Sequence, residues 1–160
     1  GSFENINLTY IGDSNNVSNS LMLAAAKTGV NITICSPKGY EPKPEIIKWF
    51  EEDSKEKCVR LEITNDPIKA VEKANFIYTD VWASMGQEDE HDKRLSIFSP
   101  YQVNSKLMSY APNNALVMHC LPAHRGEEIT DEVMDGSQSI VFDEAENRLH
   151  AQKAILALIL

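Results

Sequence analysis

Short runs of β-branched and other apolar residues alternate with helical patterns along this chain, and no other feature constrains the fold as strongly. The first run covers residues 6–11 and ends at a glycine, and a helical pattern follows over residues 16–27. Strand followed by helix, repeated with short connections, is typical of a mostly parallel sheet with helices on both faces. Because such crossovers are right-handed, the sequence predicts a doubly wound, Rossmann-like α/β domain.

Further strands and helices continue this alternation. The predicted strands cover residues 31–35, 59–64, 76–79, 114–119 and 139–142. The predicted helices cover residues 44–57, 67–74 and 145–160, and the last of them carries an apolar stripe. Two stretches, residues 80–100 and 120–130, interrupt the pattern, and each begins where a predicted strand ends. Ligands bind at such strand ends in open α/β sheets.

Composition limits the classes of partner. With 160 residues the chain has the size of one domain, which we assign to residues 3–160; Gly1 and Ser2 are expected to be a cloning scar. A net charge of −9 disfavours nucleic acids and anionic membranes as partners. No apolar run reaches the roughly 18 residues of a membrane span. Three scattered cysteines (Cys35 expected in the core, Cys58 on the surface, and Cys120) indicate reduced thiols and a cytoplasmic protein.

The turn after the first strand could bind an anion or only cap the next helix. A strand that leads into a helix N-terminus presents free backbone N–H groups. The glycine fingerprint of dinucleotide sites is incomplete, because only Gly12 is present and Ser14 and Val17 occupy the other positions. The sequence favours a cap at Asn15 or Asn16 and leaves a nucleotide-binding module as an alternative.

Asp80 begins the first interrupting stretch and is followed by Ser84, Met85 and Gly86. A carboxylate at a strand end, followed by a hydroxyl and a glycine-eased turn, could bind an ammonium group and a carboxylate together. The alternative is an aspartate that caps a loop above a packed methionine. The charged run at residues 88–94 is typical of a solvated helix face or a mobile loop.

Cys120 follows another predicted strand and lies between His119 and His124. It could ligate zinc, act as a nucleophile with a histidine base, orient a substrate through its thiol, or pack as a small apolar side chain. Arg148 lies near the start of the last predicted helix, from which it could reach an oxyanion over the sheet edge or form a local ion pair.

These features, in this order, resemble the ornithine-binding domain of the ornithine carbamoyltransferases. The matching segments are residues 12–16 (GDSNN), Asp80 with residues 84–86 (SMG), residues 119–122 (HCLP) and residues 144–148 (EAENR). The resemblance runs over essentially the whole chain. Its Ser-Met-Gly loop distinguishes ornithine enzymes from aspartate carbamoyltransferases, which share the fold.

The resemblance implies an ornithine site made from four residues. Asn16 and the backbone of Met85 would hold the α-carboxylate of L-ornithine, and Asp80 and Ser84 would hold its α-ammonium group. The δ-amine of ornithine would attack the carbamoyl carbon of carbamoyl phosphate, giving citrulline and phosphate.

The resemblance also implies the residues that act on the reacting groups. Cys120 would lie beside the δ-amine, with Asp80 helping to orient it. Cys120, the carbonyl of Leu121 and Arg148 would contact the carbamoyl end of carbamoyl phosphate. A fixed arginine is suited to stabilise the charge that develops on the carbonyl oxygen. The implied catalytic residues are therefore Cys120, Asp80 and Arg148.

Members of the resembled family contain a further, N-terminal domain with a Ser-Thr-Arg-Thr-Arg phosphate loop. We therefore expect the 160-residue chain by itself to show no transferase activity and to leave an apolar interdomain face exposed, including the last helix. The resemblance implies no metal or organic cofactor, and a parent enzyme that is a homotrimer or a multiple of trimers. The alternatives are a related carbamoyltransferase for another amine and the nucleotide-binding module.

Overall fold

The computed structural model describes Phe3 and residues 5–83 and 91–160, and its strands form one five-stranded sheet. The strands are β1 (Asn7–Ile11), β2 (Asn31–Cys35), β3 (Leu61–Thr64), β4 (Phe76–Thr79) and β5 (Leu116–His119). Their order is β3-β2-β1-β4-β5, and every neighbouring pair is parallel. The predicted α/β class and doubly wound sheet are confirmed.

The helices flank this sheet. In the described ranges they are α1 (Asn16–Thr28), α2 (Pro44–Asp53), α3 (Pro67–Val71), α4 (His91–Phe98), α5 (Ser105–Met108), α6 (Asp131–Met134) and α7 (Val141–Ile159). Gly29 ends α1 with a φ of 86°, a left-handed conformation that glycine adopts without steric cost.

Successive residues of β1 face two separate cores, as a sheet covered on both sides requires. Tyr10 packs into a cluster with residues of α1 and α2 that include Met22, Ala26 and Phe50. Ile11 packs into the opposite cluster, with residues of α3, α6 and α7 that include Val71, Met134 and Val141. Because both faces are covered, the ends of the strands are the places where the sheet can meet a ligand.

The strand order reverses between β1 and β4. From β1 the chain runs outward to β2 and β3 on one side, and β4 and β5 extend the sheet on the other. In doubly wound sheets the carboxyl ends of the strands at such a switch point form the ligand-binding crevice. The residues that follow β1, β4 and β5 are therefore the candidates for a ligand-binding site.

The predicted sixth strand, over residues 139–142, is wrong. Ser139 makes only an isolated parallel bridge to Val117, and α7 begins at Val141. The β-branched run is typical of a strand, but Val141 is fully buried as the first helical residue and packs in the same core as β5. Burial in this core, and not membership of a strand, accounts for the apolar residue at this position.

The two interrupting stretches differ in structure. Residues 120–130 contain no helix or strand. The stretch at 80–100 contains α4, which includes the end of the charged run for which a helix face was one of the two interpretations, and a 3₁₀ turn at Ser99–Tyr101 follows directly. Residues 84–90, which include the predicted site residues Ser84 and Met85, lie outside the described residues.

Helix α7 leaves the body of the domain and presents apolar side chains to solvent, as the stripe predicts. Leu149, Ile155, Leu158 and Ile159 are all more than half exposed, and Leu158 is 86% exposed. None of the helices in the described ranges has the length and apolar character that crossing a lipid bilayer demands.

Candidate active site at the carboxyl ends of the strands

The carboxylate of Asp80 lies at the switch point, directly after β4, and is buried. The N–H of Val81 donates to Oδ1 at 2.8 Å, and the side-chain amide of Asn15 donates to Oδ2 at 2.8 Å. The Cys120 thiol also donates to Oδ1, with an Sγ–Oδ1 distance of 3.0 Å. Because the three donors follow β4, β1 and β5, they fix the carboxylate at the point where these strands end.

Asn15 connects α1 to this carboxylate. Its side-chain oxygen accepts hydrogen bonds from the N–H groups of Val17 and Ser18 at 2.9 and 3.3 Å, while its amide nitrogen donates to Asp80. The cap occupies two donors that a bound phosphate would need, which favours the capping interpretation of this turn. Asn16 is exposed at the start of α1 and makes none of these contacts, so its role toward ornithine stays a prediction.

The environment of Cys120 keeps its thiol protonated. Burial raises its pKa to about 12, and the hydrogen bond to the Asp80 carboxylate acts in the same direction. A protonated thiol is a poor nucleophile and a poor metal ligand. Among the interpretations left open by the sequence, the geometry favours a thiol that orients a substrate. Cys35 is buried and Cys58 exposed, as predicted.

Tyr78 and Glu144 join α7 to the sheet beside Cys120. The Tyr78 hydroxyl donates to Glu144 Oε1 at 2.7 Å, and the N–H of His119 donates to Oε2 at 3.0 Å. Burial, and then the hydrogen bond to Glu144, raise the pKa of Tyr78 well above its ordinary value. Glu144 lies in the acidic first turn of α7. The sequence alone does not predict its hydrogen bonds with Tyr78 and His119.

Arg148 and Leu121 are placed near this edge without contacting Asp80. Arg148 lies one turn after Glu144 on α7, is exposed, and has no hydrogen-bond or ion-pair partner in the described ranges. Leu121 has a φ of 54°, and its N–H donates to His119 Nδ1 at 2.9 Å. The structure thus brings together Asp80 and Cys120, whereas the roles of Arg148 and Leu121 stay predictions.

A second buried pair supports the loop that carries Cys120. His119 Nε2 lies 3.1 Å from Glu128 Oε1, and both side chains are fully buried. Since His119 Nδ1 accepts from the Leu121 N–H, Nε2 is the nitrogen left to donate. Sequence reasoning missed Glu128, because a glutamate in a polar loop gives no signal that it is buried.

Arg94 holds α4 against the turn after β1. Its Nη1 donates to Asp13 Oδ2 at 2.6 Å and to the Trp82 carbonyl at 2.9 Å. Its guanidinium also lies over the Tyr40 ring, 5.3 Å from the ring centroid. The run at residues 88–94 was expected to be solvated or mobile, and for Arg94 this is wrong, because the side chain is buried.

Residues 4–159 match the family described as aspartate/ornithine carbamoyltransferase, Asp/Orn binding domain. The chain belongs to this carbamoyltransferase family. The resemblance carried by the sequence motifs is therefore confirmed, and the match favours a carbamoyltransferase over the nucleotide-binding module.

Individual carbamoyltransferases are similar over the full chain. Ornithine carbamoyltransferases from Thermococcus kodakarensis and Archaeoglobus fulgidus are 52% and 56% identical over 160 residues, which is 100% of this chain and 51% of each relative. The solved ornithine carbamoyltransferase from Pyrococcus furiosus matches with a TM-score of 0.94 at 52% identity, over 99% of this chain and 51% of that one. The chain spans about half the length of the curated relatives that it matches.

Proposed function

We propose that residues 3–160 are the ornithine-binding half of an ornithine carbamoyltransferase. The whole enzyme transfers a carbamoyl group from carbamoyl phosphate to the δ-amine of L-ornithine. The observation that most supports this proposal is the 3.0 Å contact between the Cys120 thiol and the Asp80 carboxylate at the switch point. Relatives named ornithine carbamoyltransferase, more than half identical to this chain, support the choice of substrate.

The electrostatics of Asp80 suit a cationic substrate. Its carboxylate is buried, and the described residues that donate to it supply two neutral N–H groups and a thiol, with no lysine or arginine among them. A buried carboxylate without a cation is costly, so an incoming ammonium group gains by pairing with it. Asp80 would accept from the α-ammonium of ornithine, with Ser84 as a further contact, while Asn16 and the Met85 backbone hold the α-carboxylate.

Cys120 would position the δ-amine without forming a covalent bond to it. Its pKa of about 12 keeps the sulfur protonated near neutral pH, so it can donate to Asp80 and offer its lone pairs to the amine. Attack requires the neutral amine, and a neighbouring thiol and carboxylate favour the required geometry. Arg148 and the Leu121 carbonyl would contact the carbamoyl group, where Arg148 stabilises the developing oxyanion.

The rest of the active site would come from the part of the enzyme that this chain does not match. We expect the 160-residue chain to bind ornithine and to show no transferase activity alone. Amine attack on carbamoyl phosphate needs no metal or organic cofactor. The three free cysteines support a cytoplasmic enzyme. We propose that the parent enzyme is a homotrimer or a multiple of trimers.

An amide NMR titration of the chain with L-ornithine tests this function. We expect chemical-shift changes at Asn15, Val81 and Cys120, which surround the Asp80 carboxylate. Asp80→Asn should abolish them, whereas Asp53→Asn, the same change at an exposed carboxylate on α2, should leave them intact. L-aspartate, putrescine and NAD serve as comparison ligands.

The alternatives give different results in the same titration. Shifts with L-aspartate or putrescine alone would assign another amine, and shifts with NAD at the turn after β1 would assign a nucleotide. If none of these ligands changes the chemical shifts, the titration is repeated in the presence of carbamoyl phosphate and of the half of the Archaeoglobus fulgidus relative that this chain does not match. Continued absence of ornithine binding would then contradict the proposal.

A further inference from the structure

Four histidine and glutamate side chains meet between α4 and the loop after β5, and none of them bonds to Asp80 or Cys120. They are His91, His124, Glu127 and Glu128. His91 Nε2 lies 3.2 Å from both carboxylate oxygens of Glu127, and His124 Nδ1 lies 3.6 Å from Glu127 Oε2. One ligand atom each from His124, Glu127 and Glu128 lies within 4.8 Å of the others.

Glu128 gives an independent indication that this cluster is incomplete. Its side chain is fully buried, and its Oε1 accepts from His119 Nε2 at 3.1 Å and from the His124 N–H at 2.6 Å. Its Oε2 is also buried, but has no hydrogen-bond partner among the residues that the structure describes. A buried carboxylate oxygen without a donor is rare in folded proteins and points to a missing partner such as an ion.

The spacing and the ligand types indicate which ion would fit. Nitrogen and oxygen ligands about 2.05 Å from a tetrahedral zinc ion lie roughly 3.3 Å from one another. The separation of 3.6 Å between His124 Nδ1 and Glu127 Oε2 is close to that value, and the ligand atoms of His124, Glu127 and Glu128 all lie within 4.8 Å of one another. Imidazole together with carboxylate suits Zn²⁺, Co²⁺ or Ni²⁺, whereas Mg²⁺ and Ca²⁺ prefer oxygen ligands alone.

The charges around the cluster also favour a cation. Within the described ranges, no lysine or arginine pairs with Glu127 or Glu128. Arg125 is adjacent in sequence, but its guanidinium donates to Asp131 and Asp135 at 2.6 to 2.8 Å. A divalent ion would therefore supply positive charge that the surrounding side chains do not.

We propose that His124, Glu127 and Glu128 bind a divalent first-row transition metal such as Zn²⁺, and that His91 orients Glu127 by a hydrogen bond from α4. The side chains of His91 and His124 are 38% and 46% exposed, so an ion can enter from solvent. The ion would hold together the loop that begins at Cys120, and the His91–Glu127 hydrogen bond would connect it to α4. It would act as a structural cross-link and take no part in carbamoyl transfer.

A titration of the 160-residue chain with Co²⁺, followed by displacement with Zn²⁺, tests this site. We expect one Co²⁺ per chain with the visible bands of four-coordinate cobalt, and their loss when Zn²⁺ is added. His124→Ala and His91→Ala should each weaken Co²⁺ binding by about tenfold or more. The matched control is His150→Ala, which removes an exposed histidine that also neighbours a glutamate, Glu146 on α7.

Cys120→Ser separates this site from the Asp80–Cys120 pair. Retained cobalt binding in that variant supports the proposal, and loss of binding places the ion at the thiol and overturns it. Absence of stoichiometric binding, or an equal loss in the His150→Ala variant, overturns it as well. Circular dichroism verifies folding of each variant, and if His124→Ala does not fold, the more peripheral His91→Ala gives the same decision.

Discussion

The carboxyl edge of the sheet and the exposed end of α7 contrast in how completely they are packed. At the sheet edge, Asp80 is buried and receives hydrogen bonds from residues that follow three different strands. Along the last turns of α7, by contrast, Leu158 and Ile159 are 86% and 72% exposed. One region is assembled by this chain alone, whereas the other leaves apolar surface in water.

The proposed function requires both a substrate site and a surface for association, and the two regions differ in the way that these two tasks require. A substrate site needs groups that are already oriented before the ligand arrives, and the bonds to Asp80 provide that orientation. Exposed apolar side chains in one helix are typical of a surface that another domain or chain covers. We expect substitutions at the sheet edge to act within this chain, and substitutions on α7 to act on association.

The largest effect is expected from Arg94→Ala. The change leaves the mostly buried Asp13 carboxylate without its cation and removes the contact with the Trp82 carbonyl. Breaking one partner of a buried ion pair costs about 3 kcal/mol. Urea unfolding followed by circular dichroism measures this loss. Arg60→Ala, at an exposed arginine, should change stability by less than about 0.5 kcal/mol, and equal losses would contradict the role of Arg94.

A change in thiol reactivity is expected from Asp80→Asn. Burial, the largest cause of the raised pKa of Cys120, stays in place, but removing the Asp80 charge lowers that pKa part of the way from about 12 toward its ordinary value of 9.0. Because the thiolate is the reacting species, alkylation by iodoacetamide near pH 8.5 should become several-fold faster. Exposed Cys58 is the internal control, since its labelling rate should not change.

The same pKa gives a pH dependence of stability. Since the folded-state pKa of Cys120 lies above its ordinary value, the thiol stabilises the fold below pH 9 and loses that contribution as the pH rises toward about 12. Cys120→Ser should therefore flatten the decline of stability in this interval, measured by urea unfolding at several pH values. An unchanged decline of stability would show that the pKa of Cys120 is not raised in the folded state.

A smaller effect is expected from Tyr78→Phe. The change removes the hydrogen bond to Glu144 and leaves the His119 N–H as the remaining donor to that carboxylate among the residues that the structure describes. The expected loss is about 1 kcal/mol in the free energy of unfolding. Tyr110→Phe, at a tyrosine that is 44% exposed, should have little effect. Comparable losses in the two variants would show that Tyr78 contributes by packing alone.

The sequence predicted the sheet more successfully than the contacts that complete it. Alternating strand and helix patterns indicated all five observed strands, and the ends of those strands identified Asp80 and Cys120. The same β-branched signal wrongly predicted a strand at residues 139–142, because packing against β5 places Val141 in a helix. Arg94 and Glu128 could not be found this way, since burial of a charged side chain depends on distant partners such as Asp13 and His119.

The smallest effect on this chain is expected from Ile155→Gln and Leu158→Gln on α7. Both side chains are mostly exposed, so each change should alter the free energy of unfolding by less than about 0.5 kcal/mol. If the apolar face is instead an interface, the same changes should weaken association with the unmatched half of the Archaeoglobus fulgidus relative by about tenfold or more.

Calorimetry with that half, and unfolding of the chain alone, measure the two quantities separately. Lys153→Gln, on the same helix, is the control that should change neither. A clear loss of stability in the chain alone would mean that the α7 face already packs against something, and sedimentation would then identify a second copy. Small stability changes together with lost association would instead show that the apolar face of α7 is an interface and contributes little to the packing of this chain alone.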